Sequence, residues 1–252
     1  MALNLKDYLQ RISFHGQSKI DHKTLVTFHR KHLLTVPFEN LDIGLGREIE
    51  LDLEKIEKKI VSNMRGGFCY ELNGLFYALL KEIGFEVKMI SAKVFGDEKI
   101  GQEFDHMALV VSLDEDWLVD VGFGDSFIEP IQMKLGSNQK DPGGYFVIEE
   151  HDSTYLRLEA SKDDLVYDPI YLFSLAERQL EDFAGMCAYH QTSPESSFTR
   201  ERKCTLATET GRVSIRDNHF IETIEGRKKI REIADDEEYR QILKEIFQIE
   251  VM

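Results

Sequence analysis

Apolar residues recur at helical spacing through the first third of the chain and at strand spacing through most of the rest, and the change falls at Gly84. Leu5, Tyr8, Leu9 and Ile12 form one stripe. Asp21 is placed to cap a second helix, which must stop before Pro37 because the residue ahead of a proline is pushed out of the α region. The segment LEKIEKKIVS, residues 53–62, follows as a charged amphipathic helix. The clearest helix starts near Cys69. Leu72, Leu75, Phe76, Leu79, Leu80 and Ile83 share one face, which reads as core packing, and Gly84 supplies the C-terminal stop.

Beyond Gly84 the period shortens to two. The runs EVKMISAKVF, HMALVVSL, WLVDVGF, YFVIEE, TYLRLEA and LVYDPIYLF are separated by turns such as DPGG and predict an antiparallel sheet rolled towards a barrel. Ser174 and Glu177 have the spacing of a capping box and predict a helix through about Met186. HQTSPESSF reads as a loop, KCTLATET and RVSIRD as a hairpin about Gly211, and DDEEYRQILKEIFQIE as a last helix whose acidic start suits the helix dipole. The fold class is α+β, with helices first, then a sheet, then a smaller mixed unit.

Composition narrows the function. With 252 residues, 42% hydrophobic and 10% aromatic, the chain can bury a large core. Its 31 Lys and Arg face 46 Asp and Glu, so the net charge of −15 repels a phosphate backbone and argues against nucleic acid as a partner. Three cysteines without a CxxC pair make neither a disulfide framework nor a zinc site, and no metal ligand set appears. MALNLKDYLQRISFHG lacks the continuous apolar run of a signal peptide, and no segment is apolar enough to span a bilayer, so we expect a cytoplasmic protein with no membrane partner.

Against that background the stretch RGGFCYELN stands out. Cys69 falls in the first turn of its helix, where unpaired N–H groups and the positive end of the dipole favour a thiolate and can also receive an oxyanion. Gly66 and Gly67 permit a close backbone approach. Position alone leaves a packing role open. A nucleophilic cysteine needs a base and the base an orienting acceptor. His106 opens a strand and should stand on a rigid edge, whereas His15, His22, His29 and His32 fall in or beside polar helical faces and His151 in a turn. Asp120, inside an alternating strand, would reach the ring of His106 from the neighbouring strand. Asp105 and Asp125 are competitors that are more at home facing solvent.

These residues carry a resemblance. VPFENLD, RGGFCYELN, FDHMALVV, VDVGFG and TSPESSF, in this order between Val36 and Phe198, resemble the signature segments of the arylamine N-acetyltransferases. The resemblance implies an N-terminal helical bundle carrying the nucleophile (1–84), a central β-barrel carrying the histidine and aspartate (85–190) and a linker with a C-terminal α/β lid (191–252). The core is similar to papain-like and transglutaminase-like Cys-His-Asp proteins. Cys69 is implied as the acetylated nucleophile, His106 as its base and Asp120 as the orienting carboxylate.

An aromatic amine needs a flat apolar slot, and the resemblance implies Phe38, Phe123 and Phe198 as its walls. Acetyl-CoA is the implied acetyl donor and an arylamine or hydrazine the acceptor, with a monomer or a homodimer as the acting form. The backbone of Gly124, Asp125 and Ser126 is implied to hold the CoA pyrophosphate, as a nest of N–H groups would. Glu39 and Arg65 should pair beneath the cysteine turn. Two other readings use the same residues. A cysteine hydrolase, amidase-like or peptidase-like, would release acid without an amine acceptor, and a non-catalytic binding protein would keep its function in Cys69→Ala.

Overall fold

A computed structural model describes residues 3–96 and 99–250. Its first helices are α1 (Leu5–Arg11), α2 (His22–Thr35), the single turn α3 (Leu41–Gly44) and α4 (Leu53–Glu57), which passes into a π-helical turn at Lys58–Ser62. Asp21 caps α2 by accepting the Thr24 N–H at 2.8 Å. Helix α5 runs Cys69–Ile83 and ends on Gly84 with φ +105°, a backbone that favours glycine. Its predicted apolar stripe is buried: Leu72, Leu75, Phe76, Leu79 and Leu80 are shut off from solvent. They pack against Val87, Met89, Met107, Leu109 and Val111 of the sheet.

The main sheet has eight antiparallel strands in the order β5-β4-β3-β2-β9-β8-β7-β6. Their ranges are β2 Glu86–Val94, β3 His106–Ser112, β4 Asp116–Val119, β5 Ile131–Gln132, β6 Gln139–Asp141, β7 Gly144–Glu150, β8 Tyr155–Ser161 and β9 Asp168–Ser174. Alternation sends Ile90, Ala92, Ala108 and Val110 away from α5 into a second core with Phe146, Ile148, Leu158, Tyr171 and Phe173. Strand β3 therefore has both faces covered, which is why HMALVV is continuously apolar. The sheet curls into a nearly closed barrel. At the seam Gln139 takes the place of a ladder, accepting the Gln132 N–H at 2.8 Å and donating to the Gln132 carbonyl at 2.9 Å. A register shift between Leu158 and Glu159 falls opposite Pro169, which has no N–H to give.

A second sheet, in the order β1-β10-β11-β12-β13, joins Phe38–Glu39 (β1) to Lys203–Thr208, Gly211–Arg216, His219–Ile224 and Arg227–Glu232. The helix α8, Asp236–Ile246, covers it through a third core that includes Cys204, Ile215, Phe220, Ile242 and Leu243. The expected hairpin about Gly211 is there, and a Cβ at that position would meet the Thr223 carbonyl at 1.9 Å. No helix among the described residues is long and apolar enough to cross a membrane.

Several expectations need correction. The strand read as WLVDVGF ends at Val119, so Asp120 stands just beyond it. In LVYDPIYLF only Asp168 onward is strand. Ser174 does not cap a helix. Its hydroxyl accepts the Ala176 N–H, and the chain bends without helix to a bridge between Arg178 and Met89. Helical backbone begins at Leu180–Phe183, where Asp182 accepts the Gln179 N–H, and continues as α6, Ala184–Thr192. The HQTSPESSF segment starts inside α6 and ends in the turn α7, Ser197–Arg200. Tertiary contact with β2 overrides the local capping signal.

Candidate active site

Cys69 is the first residue of α5, as its spacing required. The turn before it is clamped against β1: Glu39 N–H bonds the Gly67 carbonyl at 2.9 Å, and Phe38 bridges Gly67 in parallel. A Cβ on Gly66 would lie 2.0 Å from the Pro37 carbonyl oxygen, and one on Gly67 2.8 Å from Glu71 Cβ, so neither position admits a side chain. Beneath the turn lies a chain of buried charges. Arg65 grips Glu39 Oε1 through Nε and Nη2 at 2.9 and 2.7 Å and reaches Asp42 at 3.0 Å. Lys59 joins Asp42 and Glu71, both at 2.8 Å. Glu71 completes the link by accepting the Phe68 N–H at 3.1 Å, at the very start of α5.

His106 opens β3 and is buried. Its Nε2 lies 2.7 Å from Asp120 Oδ2. The other Asp120 oxygen accepts the Asn73 amide and the Gly122 N–H, each at 2.9 Å. Burial alone would raise the Asp120 carboxyl, but the imidazole and these donors outweigh it and hold the carboxyl below its ordinary value. An ionised carboxylate only accepts, so Nε2 carries the ring proton and Nδ1 is left as the basic nitrogen. Gly122 must lack a side chain because its Cβ would lie 2.8 Å from Cys69 Cα, which presses the aspartate loop directly onto the cysteine.

Cys69 and His106 line one cavity of about 380 Å³ together with Phe38, Phe123 and Phe198. Phe123 stands edge-on to the His106 ring at 5.2 Å, and Phe38 and Phe198 are 6.1 Å apart. Burial pushes the Cys69 thiol well above its usual range, with the Asp120 and Asp105 carboxylates adding to the effect. Burial thus opposes the thiolate that the helix end and a neighbouring imidazolium are expected to favour. In this site the anion requires a cation beside it.

The two rejected carboxylates differ. Asp125 has a side chain 78% exposed and paired with Arg212 at 3.0 Å. Asp105 is half-buried, lines the cavity and faces His190 at 3.3 Å, so its solvent-facing expectation is overturned. His29 and His32 also depart from the polar faces expected of them, since both are fully buried. His29 Nδ1 bonds the Ile128 carbonyl at 2.8 Å, and Nε2 accepts the Asp120 N–H at 3.2 Å, so this ring buttresses the aspartate from behind. Asn73 was also missed, although it lies one helical turn after Cys69 and therefore on the same face. Gly124, with φ +90°, gives its carbonyl to Arg212, and the Ser126 hydroxyl is buried at the edge of a second cavity of about 470 Å³.

The N-acetyltransferase family model matches residues 21–252. Arylamine N-acetyltransferase 2 of Mus musculus is 31% identical over 97% of this chain and 93% of its own. The chain belongs to the arylamine N-acetyltransferase family. The solved arylamine N-acetyltransferase of M. smegmatis superimposes with a TM-score of 0.92 at 29% identity, covering 99% of this chain and 93% of that one. That of Bacillus cereus, described as having a unique Cys-His-Glu catalytic triad, gives 0.90 at 27% over 98% of both chains. In the family member described here, the residue bonded to the histidine is an aspartate. The matches favour neither the hydrolase nor the binding-protein reading.

Proposed function

We propose that the protein transfers an acetyl group from acetyl-CoA to the nitrogen of an arylamine or arylhydrazine through an acetyl-Cys69 intermediate. The observation that carries this reading is the 2.7 Å contact between His106 and a buried, ionised Asp120, in the same cavity as a cysteine that opens a helix. The Cys69 proton passes to His106 Nδ1, and the resulting imidazolium is stabilised by Asp120. The thiolate so formed has the cation that its buried setting demands. It attacks the thioester carbonyl. The tetrahedral oxyanion is received by first-turn N–H groups, which a helix cannot satisfy internally. The C–S bond to CoA then breaks, and His106 returns its proton to the departing thiolate.

In the second half-reaction the amine nitrogen attacks the acetyl carbonyl, His106 takes the nitrogen's proton and passes it to the departing Cys69 sulfur. Phe38, Phe123 and Phe198 form the acceptor walls. The CoA phosphates are held by the Gly124–Ser126 turn and by Lys162 and Lys228 at the second cavity, whose other cations, Arg30 and Arg212, are paired with Glu209 and Asp125. The outward-turned Asp125 carboxylate leaves the turn's N–H groups to the ligand. Three unpaired cysteines suit a reducing, cytoplasmic setting.

Mixing the enzyme with acetyl-CoA and no amine should add one acetyl group, mapped to the peptide holding Cys69, and an added aniline should remove it. Absence of the acetyl group, or its appearance on another residue, would require direct transfer in a ternary complex instead. Iodoacetamide should label Cys69 ahead of Cys187 and Cys204, and His106→Ala should abolish that advantage. The buried Cys187 thiol is pushed up to about 12 and has no imidazole to receive its proton.

A further inference from the structure

The catalytic cavity holds a cation that the acetyl-transfer steps do not use. Lys203 lines it alongside Cys69, and its ammonium lies 5.5 Å from the centroid of the Phe38 ring. In a chain with 46 acidic residues, no carboxylate comes within ion-pair distance of that ammonium among the described residues. The residue directly across the ladder is Arg216, which lines the same cavity. Like charges directly opposite in an antiparallel pair repel and destabilise the sheet. Burial lowers the basicity of Lys203 and Arg216 adds to that, while the Asp125 and Glu201 carboxylates, beyond ion-pair distance, oppose it only in part. Asp105 and Glu201 also line the cavity, but Asp105 faces His190 at 3.3 Å and Glu201 faces Arg216 at 3.5 Å. Lys203 is thus an ammonium against an aromatic wall, opposite a second cation, with its anion missing.

We propose that Lys203, supported by Arg216, is an anion subsite of the acceptor pocket and selects aromatic amines that carry an acidic ring substituent such as a carboxylate. The inference rests on the acetyl-transfer reading and adds the acceptor class to it. Phe38 joins the two features, because the ring that walls the cavity beside Cys69 also has the Lys203 ammonium over it. A CoA phosphate would offer the same anionic chemistry. It is the weaker candidate because Lys162 and Lys228, with Arg30 and Arg212 in ion pairs beside them, already line a separate cavity next to Ser126.

The test compares para-aminobenzoate with its uncharged methyl ester as acceptors for the pre-formed acetyl-enzyme, in the full chain and in Lys203→Gln, Lys203→Arg and Arg216→Gln. Loss of one charge-assisted contact should lower kcat/KM for the acid by about ten- to a hundredfold in Lys203→Gln. The ester should be unaffected, Lys203→Arg should keep the preference, and Arg216→Gln should weaken it less. The rate of acetyl-enzyme formation from acetyl-CoA should stay at the parent value in all three. Equal losses for acid and ester, or a loss confined to acetyl-enzyme formation, would overturn the proposal, the latter assigning Lys203 to CoA. Failure of the parent protein to form any acetyl-enzyme would instead overturn the transfer mechanism itself. Arg216→Gln, on an exposed side chain, keeps the comparison available should Lys203→Gln fold poorly.

Discussion

The two walls of the cleft are held by different chemistry. Under Cys69 the backbone turn is fixed by permanent charges, Glu39, Arg65, Asp42, Lys59 and Glu71, linked end to end and largely out of water. Around Asp120 the partners are neutral: an amide, a backbone N–H and an imidazole. Removing one member from the first set strands a buried charge, so that wall is rigid at a high energetic stake. Among the described residues the second set leaves Asp120 as the one charge bonded to the His106 ring, so a proton arriving on the ring is met by an undiluted counter-charge. Charge holds the shape on one side, and the scarcity of charge keeps the base responsive on the other.

Asp120→Asn should give the largest effect. An amide cannot stabilise the imidazolium or hold its tautomer, so kcat should fall about 10⁴-fold while a cooperative thermal transition persists. Near-parent turnover in the folded variant would remove Asp120 from the mechanism. The opposite wall should respond in stability. Arg65→Met leaves the fully buried Glu39 without its cation, and urea unfolding should show a loss of about 3–5 kcal/mol. If that loss is no greater than for an exposed pair such as Arg240 with Glu237, the contrast between the walls collapses.

Behind the neutral wall, burial lowers the His29 pKa to about 4, only partly opposed by its bonds to Ile128 and Asp120. The unfolded chain therefore takes up a proton between its ordinary value and about 4 that the folded chain refuses. Stability should rise with pH through that window and fall on acidification, by about 2 kcal/mol at pH 5 relative to pH 7 from His29 alone. His32, also depressed by burial, acts in the same direction. His29→Gln keeps a donor and an acceptor without titrating, so its denaturation profile should be flatter over this range; an unchanged slope would place the proton uptake elsewhere. The smallest effect should be selectivity. Phe123→Ala opens the wall beside His106 and should shift the ratio of kcat/KM for bulky over small arylamines upward by about tenfold. An unchanged ratio would exclude Phe123 from the acceptor pocket.

What the sequence revealed, and what it hid, follows from how each residue is held. Cys69 at a helix start, His106 at a strand start and the apolar faces of α5 and β3 follow from local periodicity and from glycines that only a close approach explains. The burial of His29 and His32 did not, because in α2 they look like polar-face residues until Ile128, Tyr8 and Asp120 arrive from elsewhere to bond them. Strand β13 had no readable signal: RKKIRE is charged and exposed along its length, as suits a sheet edge that must repel other edges. Strand β1 is two residues long and exists only through its partners.

That short strand sets a timetable. Phe38 and Glu39 meet Gly67 on one side, close in sequence, and Thr205 and Cys204 on the other, after most of the chain has been made. During synthesis the cysteine turn can close early, yet its outer edge stays unpaired until Lys203–Thr208 has left the ribosome. Pairing over so long a loop is slow, and the nascent barrel must wait with that edge open. An interrupted or slowly completed chain would display a finished nucleophile turn beside a free backbone edge. The step most exposed to mispairing is thus the last one, when the C-terminal strands dock and close the cleft.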